Sequence, residues 1–279
     1  MTLESIVAII AGLLIGSFLN VCIYRMPRDL SVVLPRSFCP ACEHPIAWYD
    51  NIPVLSYFIL RRRCRHCGKL IPVRYVIVEI LTAALFFLIV NALGPTAPAA
   101  KLCLLTALLV GLTFADLEER ILPDEFTLGG TAAGLALAWF VPVINPPSDD
   151  VVFVLLRAAG IQWSLPWMCV AESAIGAAVP AGTLWLGGLL FEKLRHKEGL
   201  GLGDVKMMMM VGAFLGLQGS LLTLILGSIA GSVIGLVYIG VTKKDAGSYQ
   251  LPFGTFLGFA GIFVALAGEP VIRWYARFL

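Results

Sequence analysis

The sequence predicts an all-α protein: a polytopic bundle of about eight transmembrane helices carrying one small polar insertion. Three observations lead there. Of the 279 residues, 59% are hydrophobic and only 14% are charged, where soluble domains carry roughly 25%. Mean hydropathy is +0.89. The apolar residues also fall into runs close to the ~20 residues a membrane-crossing helix needs, with the charges gathered between them. A net charge of +2 is too small to direct the choice of partner.

The expected spans are 5–24, 75–93, 98–115, 126–143, 169–191, 205–216, 219–240 and 253–271. The first has no basic region before it and no cleavage site after it, so it reads as a retained span. Gly12 and Gly16 give it a GxxxG face suited to close helix packing. The sixth run is short enough for a half-span. Three domains are expected: the first span at 1–24, a soluble module at 25–74 and a polytopic domain at 75–279. With the N-terminus outside, 16 of the 20 Lys and Arg residues fall on inner segments, as the positive-inside rule requires. That orientation puts Asp116, Asp124 and Asp204 at the cytoplasmic face. Asn145 to Pro166 falls outside. Val152, Phe153, Leu155 and Leu156 there suit a surface-lying amphipathic helix with Trp163 and Trp167 at the interface, and an ordinary loop suits them equally.

The module at 25–74 holds four of the seven cysteines. Cys39-Pro-Ala-Cys42 and Cys64-Arg-His-Cys67 each present two sulfurs, together a tetrahedral four-cysteine set for structural zinc. Disulfides are the rival arrangement, disfavoured in a reducing cytoplasm. Four thiolates close the coordination sphere, so the metal would serve folding and not catalysis. His44 and His66 then stand beside the ligands. Cys22, Cys103 and Cys169 sit in apolar runs as packing residues. The basic run Arg61-Arg62-Arg63-Cys64-Arg65 suits anionic lipid headgroups of the inner leaflet better than nucleic acid.

Two acidic stretches at span ends carry the chemistry. One is Asp116-Leu117-Glu118-Glu119-Arg120-Ile121-Leu122-Pro123-Asp124. The other is Glu198-Gly199-Leu200-Gly201-Leu202-Gly203-Asp204-Val205-Lys206. An aspartate in the second position also suits a helix N-cap, and Pro123-Asp124 suits a helix start. Carboxylates at membrane depth are costly, however, and mark function by default. Two of them at one face supply aspartyl hydrolysis: one activates water and the other, protonated, polarises the scissile carbonyl. Asp116 and Asp204 are the candidate pair, supported by Asp124, Gly201, Gly203 and Lys206. Glu118, Glu119 and Glu198 flank the pair on that face as further acidic residues, candidate contacts for a substrate.

Gly201-Leu202-Gly203-Asp204 resembles the GxGD motif of intramembrane-type aspartyl proteases. With Asp116 and Leu122-Pro123-Asp124, the chain resembles the type IV prepilin peptidases. The resemblance extends over nearly the whole chain, through Gly16-Ser17-Phe18-Leu19-Asn20-Val21, Arg36 to Cys42, Trp48 to Pro53, Arg74-Tyr75, Glu79 and Pro252-Phe253-Gly254. Val76, Pro72 and Val73 depart from the family's usual residues, and the 144–166 insertion is longer than usual. The resemblance implies a bacterial inner-membrane endopeptidase that cuts the basic leader of prepilins and pseudopilins after glycine. It further implies N-methylation of the new terminus with S-adenosylmethionine, whose binding residues the sequence does not reveal. Two other classes share some of these features. A transporter or channel uses paired intramembrane acids, but near the midplane and not at one edge. A zinc-dependent membrane scaffold needs the cysteines and leaves the aspartates unexplained.

Overall fold

The computed structural model describes residues 2–142, 151–160, 163–195, 201–242 and 252–276. Its helices are α1 (Leu3–Arg25), α2 (Leu55–Ile59), α3 (Arg74–Leu93), α4 (Ala97–Glu119), α5 (Asp124–Ala138), α6 (Val151–Ala158), α7 (Leu165–Arg195), α8 (Leu202–Thr242) and α9 (Phe253–Ala276). Among the described residues there are only isolated bridges, Phe38 with Pro45 and Arg63 with Leu70, and no strands. The chain divides into two units, Met1–Gly111 and Leu112–Leu279.

In the first unit α1 and α3 run antiparallel, and glycine lets their backbones touch. A Cβ on Gly12 would lie 2.5 Å from Ala83 Cα, and one on Gly16 would lie 2.7 Å from Glu79 Cα. Farther along the seam, Asn20 Nδ2 donates to the Tyr75 carbonyl at 2.9 Å. The GxxxG face therefore makes the contact expected of it. Between these helices the 25–74 module is nearly all loop. Buried Arg25 ties it down, donating to the carbonyls of Ser31 and Arg36.

In the second unit glycines again set the packing. Backbone meets backbone where Gly176 of α7 faces Gly212 of α8, and Gly134 of α5 faces Phe214. Gly216 interrupts α8 with φ 69° and ψ −171°, a conformation essentially reserved for glycine. Met207, before the break, lies against the place of a Cβ on Gly258, while Gly227, after it, lies against Leu257. A straight helix would part Met207 and Gly227 by roughly 30 Å, yet both reach adjacent residues of α9. The chain therefore doubles back at Gly216. Buried Glu172 of α7 accepts from Leu217 N at 3.3 Å, meeting the first amide after the break.

Among the described residues, six helices are long and apolar enough to cross a membrane: α1, α3, α4, α7, α8 and α9. The expected eight differ at one run: that at 126–143 becomes α5, whose 15 residues are too few to span the ~30 Å hydrocarbon layer. The runs at 205–216 and 219–240 are the two parts of α8, parted at Gly216 as their separate placement expects, though they count as one continuous helix. In the 145–166 stretch α6 is helical; Val152 and Phe153 are buried, with Phe153 packed on Met168 and Cys169, while Leu155 is exposed. Val152 and Phe153 thus cover protein, and Trp167 packs edge-on to Trp139.

Candidate active site

Asp116 lies in the last turn of α4, which ends when Arg120 turns left-handed at φ 56°. Asp204 lies in the first turn of α8, its N–H donating to the Gly201 carbonyl at 3.2 Å, so it is inside the helix and not its N-cap. The start of α9 joins them. Thr255 donates to Asp116 Oδ2 twice, from its backbone N at 2.6 Å and its Oγ1 at 2.8 Å. Gly254 separates the two carboxyls: a Cβ there would stand 3.1 Å from Asp116 Cγ and 3.1 Å from Asp204 Oδ1. Both aspartates are buried, 5% and 9% exposed. Two helix N-termini, α8 and α9, bring their positive ends to this pair, which offsets part of the cost of negative charge.

The two helix ends that carry the aspartates share one end of the unit. Between residues 119 and 202 the chain must therefore run away from that end and return, through α5 and α7. Thr255 and Gly254 escaped sequence reasoning as site residues. The one available signal was the match at Pro252-Phe253-Gly254.

The supporting residues divide by role. Asp124 opens α5 and receives Lys206 Nζ on both oxygens, at 2.8 and 2.9 Å. It stands away from the buried pair, half exposed, and its partner is a cation of α8. Gly203 faces Leu122, whose Cβ and Cδ1 would each lie 3.2 Å from an added Cβ; the same Leu122 borders Gly254. At Gly201 the nearest described atom beyond its chain neighbours to such a Cβ is Asp204 Oδ2, at 3.6 Å, which leaves that side open among the described residues. Glu118 is exposed and Glu119 partly so. Glu198 lies outside the described residues.

In the first unit Cys39, Cys42, Cys64 and Cys67 are free thiols whose Sγ atoms all lie within 4.8 Å of one another. Tetrahedral Zn–S bonds of ~2.3 Å require S···S edges of roughly 3.8 Å, so the donor set fits the ion with small adjustment. Two copies of one turn build it. In each, the first cysteine's N–H donates to a carbonyl five residues on (His44, Lys69). Its own carbonyl accepts from a left-handed residue, Glu43 at φ 57° or Gly68 at φ 71°. The backbone N–H groups of Cys67 and His66 pull the Cys64 thiol down to about 7. On Cys42 the N–H of His44 acts likewise, but burial and the crowding of Cys39, Cys67 and Cys64 override it and leave the thiol at about 11. Such a set resists full ionisation alone, and a bound cation removes the conflict. The His44 and His66 rings stack beside it, centroids 3.5 Å apart. Asp50 takes Arg65 bidentately at 2.6 and 2.7 Å, which holds its carboxyl below the usual range, so this arginine of the basic run is engaged within the module.

A second buried polar group lies on the α1–α3 seam. Glu79 is 6% exposed; its Oε2 accepts from Val54 N at 2.7 Å, and the Ser17 hydroxyl also reaches the carboxyl. Val54 holds φ 61° and ψ −49°, a strained setting for a β-branched residue. Asn20 is 2% exposed, and its Oδ1 has no donor among the described residues.

Residues 10–93 match the bacterial peptidase A24 N-terminal domain and residues 103–236 match the type IV leader peptidase family. Proteins named prepilin leader peptidase/N-methyltransferase are similar over almost their whole length. That of Aeromonas salmonicida is 34% identical over 95% of this chain and 91% of its own, and that of Aeromonas hydrophila 35% over the same shares. That of Pseudomonas aeruginosa is 31% identical over 97% and 92%. No solved structure matches. With the family's two domains in order and relatives of this similarity along its whole length, the chain belongs to the type IV leader peptidase family.

Proposed function

We propose that the chain is an integral membrane aspartyl endopeptidase for prepilin-like precursors, with Asp116 and Asp204 as its catalytic pair, and that it then N-methylates the new terminus. The observation that carries the peptidase reading is the pair itself: two buried carboxyls from different helices, separated only by the width of Gly254 and braced by Thr255. Water held between them loses a proton to the ionised carboxylate and attacks the scissile carbonyl carbon. The protonated partner donates to the carbonyl oxygen, and the proton taken from water passes to the departing amine. Thr255 fixes the orientation of Asp116 throughout. Glu118, Glu119 and Glu198 supply negative charge for a basic leader, and the open side of Gly201 leaves room for extended backbone.

Residues 25–74 form the module, with zinc on Cys39, Cys42, Cys64 and Cys67 as a folding element, and 75–279 the peptidase portion. S-adenosylmethionine supplies an electrophilic methyl group for the second activity. The asymmetry of Lys and Arg supports an inner-membrane orientation with the N-terminus outside and the aspartates and cysteines cytoplasmic, facing anionic lipid; no nucleic-acid role is assigned. A transporter or a scaffold accounts for neither the relatives nor the two acids meeting where the end of α4 faces the start of α8.

Mass spectrometry of a co-expressed precursor provides the test. Asp116→Asn and Asp204→Asn each leave the precursor uncut in a protein that still folds and keeps its metal. Wild-type turnover by either variant removes the pair.

A further inference from the structure

The peptidase site does not use the other buried ionisable group described above, Glu79, nor Asn20 beside it. Both lie on the α1–α3 seam, one turn apart. Asn20 is five residues from the end of α1, and Glu79 is five residues from the start of α3. The seam therefore carries them within roughly 8 Å of the helix ends that lead into the cysteine module. Two features are not explained by packing. Asn20 uses its amide donor on the Tyr75 carbonyl but presents Oδ1 with no donor, fully buried. Glu79 has room on its carboxylate for about four hydrogen bonds, of which Val54 N–H and the Ser17 hydroxyl take two. Among the described residues the site thus keeps acceptor capacity and a carboxylate beyond the bonds that Val54 and Ser17 give. A donor-only cation complements it, and the loop that covers it is held shut at Val54 in a strained conformation, the kind of setting that accompanies function.

Cleavage releases such a group: the new N-terminal α-amine, an ammonium at neutral pH. We infer that Glu79 and Asn20 form the seat that receives this amine and readies it for methyl transfer. Glu79 accepts a proton from the ammonium, Asn20 Oδ1 accepts a hydrogen bond from a remaining N–H, and together they aim the nitrogen lone pair. The lone pair forms the new N–C bond to the methyl carbon of S-adenosylmethionine. The C–S bond breaks with its electrons going to sulfur, which leaves a neutral thioether; the product is a secondary methylammonium, and Glu79 returns its proton to solvent. This assignment rests on the methyl-transfer reading above.

Glu79→Gln keeps the shape and an oxygen for Val54 but cannot take the proton. Full-length protein in nanodiscs is given a peptide that already begins at the mature terminus. The variant is expected to methylate it about 100-fold more slowly, within the range of general-base contributions. Precursor cleavage, zinc content and binding of radiolabelled S-adenosylmethionine should stay within about threefold of wild type. Methylation within threefold of wild type overturns the inference, and so does a loss of cofactor binding or of cleavage that matches the loss of methylation. A second measurement needs no variant. A mature-terminus peptide whose first residue is photoreactive should crosslink wild-type protein within 16–24, 52–57 or 72–80, and its N-acetylated form should not. Crosslinks confined to 112–124, 201–207 or 253–258, or equal labelling by the acetylated form, overturn the assignment. A wild type that methylates no peptide sinks the methyl-transfer reading and this inference together. An active wild type matched by Glu79→Gln sinks the inference alone.

Discussion

Gly254→Ala is the sharpest probe of the aspartate pair, because it adds one methyl group at the point where the two carboxyls face each other. The added carbon would sit 3.1 Å from Asp116 Cγ, 3.1 Å from Asp204 Oδ1 and 3.0 Å from Leu122 Cδ1. Carbon contacts relax near 3.5–4.0 Å, so each neighbour must move by roughly half an ångström. Leu122 is a flexible side chain and yields easily. Asp116 is held by two hydrogen bonds from Thr255, the residue next to the new methyl, so its carboxyl cannot move away without losing them. Misplacement of reacting groups by about 1 Å costs on the order of 100-fold in rate. A shift of half that size, together with a methyl in the place of the attacking water, gives an expected fall in kcat of about 10- to 100-fold, or ~1.4–2.7 kcal/mol of barrier. The assay is cleavage of a purified precursor in nanodiscs, with the melting temperature and the methylation of a pre-cut peptide as controls. Both controls should hold. Wild-type kcat in a folded Gly254→Ala protein would refute the placement of the scissile bond between these two carboxyls.

Other perturbations address separate parts. Thr255→Val removes the Oγ1 donor but keeps the backbone one; hydrogen bonds to charged groups are worth ~1.5–3 kcal/mol, so kcat should fall about tenfold or more with KM little changed. Purified protein should carry about one zinc per chain by elemental analysis, and Cys39→Ser or Cys64→Ser should remove most of it and expose 25–74 to protease, because metal binding and folding of so small a module are coupled. Metal-free protein that resists protease there would contradict this. Glu118→Lys should raise the KM for a basic-leader precursor more than it lowers kcat, with the difference shrinking as salt rises. An unchanged KM at low salt removes Glu118 from the docking face.

What the sequence discloses follows the range of each interaction. Asp116 and Asp204 stand out because a charge beside an apolar run is visible locally, and the four cysteines because their ligand spacing is local too. The GxxxG face of α1 is legible for the same reason, although its partner, Ala83 to Glu79 on α3, is not. Thr255 escapes because it meets Asp116 across 139 positions of chain, and a threonine near a helix start is unremarkable by itself. The apolar run at 126–143 marks a helix but not its length, because the end of α5 at Ala138 depends on backbone conformation that hydropathy does not record. The division at Gly216 is legible as the gap between the runs at 205–216 and 219–240, but the reversal of the chain there is not. Gly203 lies against Leu122, eighty-odd positions earlier, a contact that no local pattern records.

The contribution of α9 also bears on how the enzyme is made. Asp116 and Asp204 both precede Phe253 in the order of synthesis, yet the donor that braces Asp116 and the residue between the acids belong to the first turn of α9. On the proposed assignment, a growing chain that already holds both carboxylates still lacks the groups that set their spacing and orientation. It stays unable to cut precursors inserted alongside it until α9 is in place.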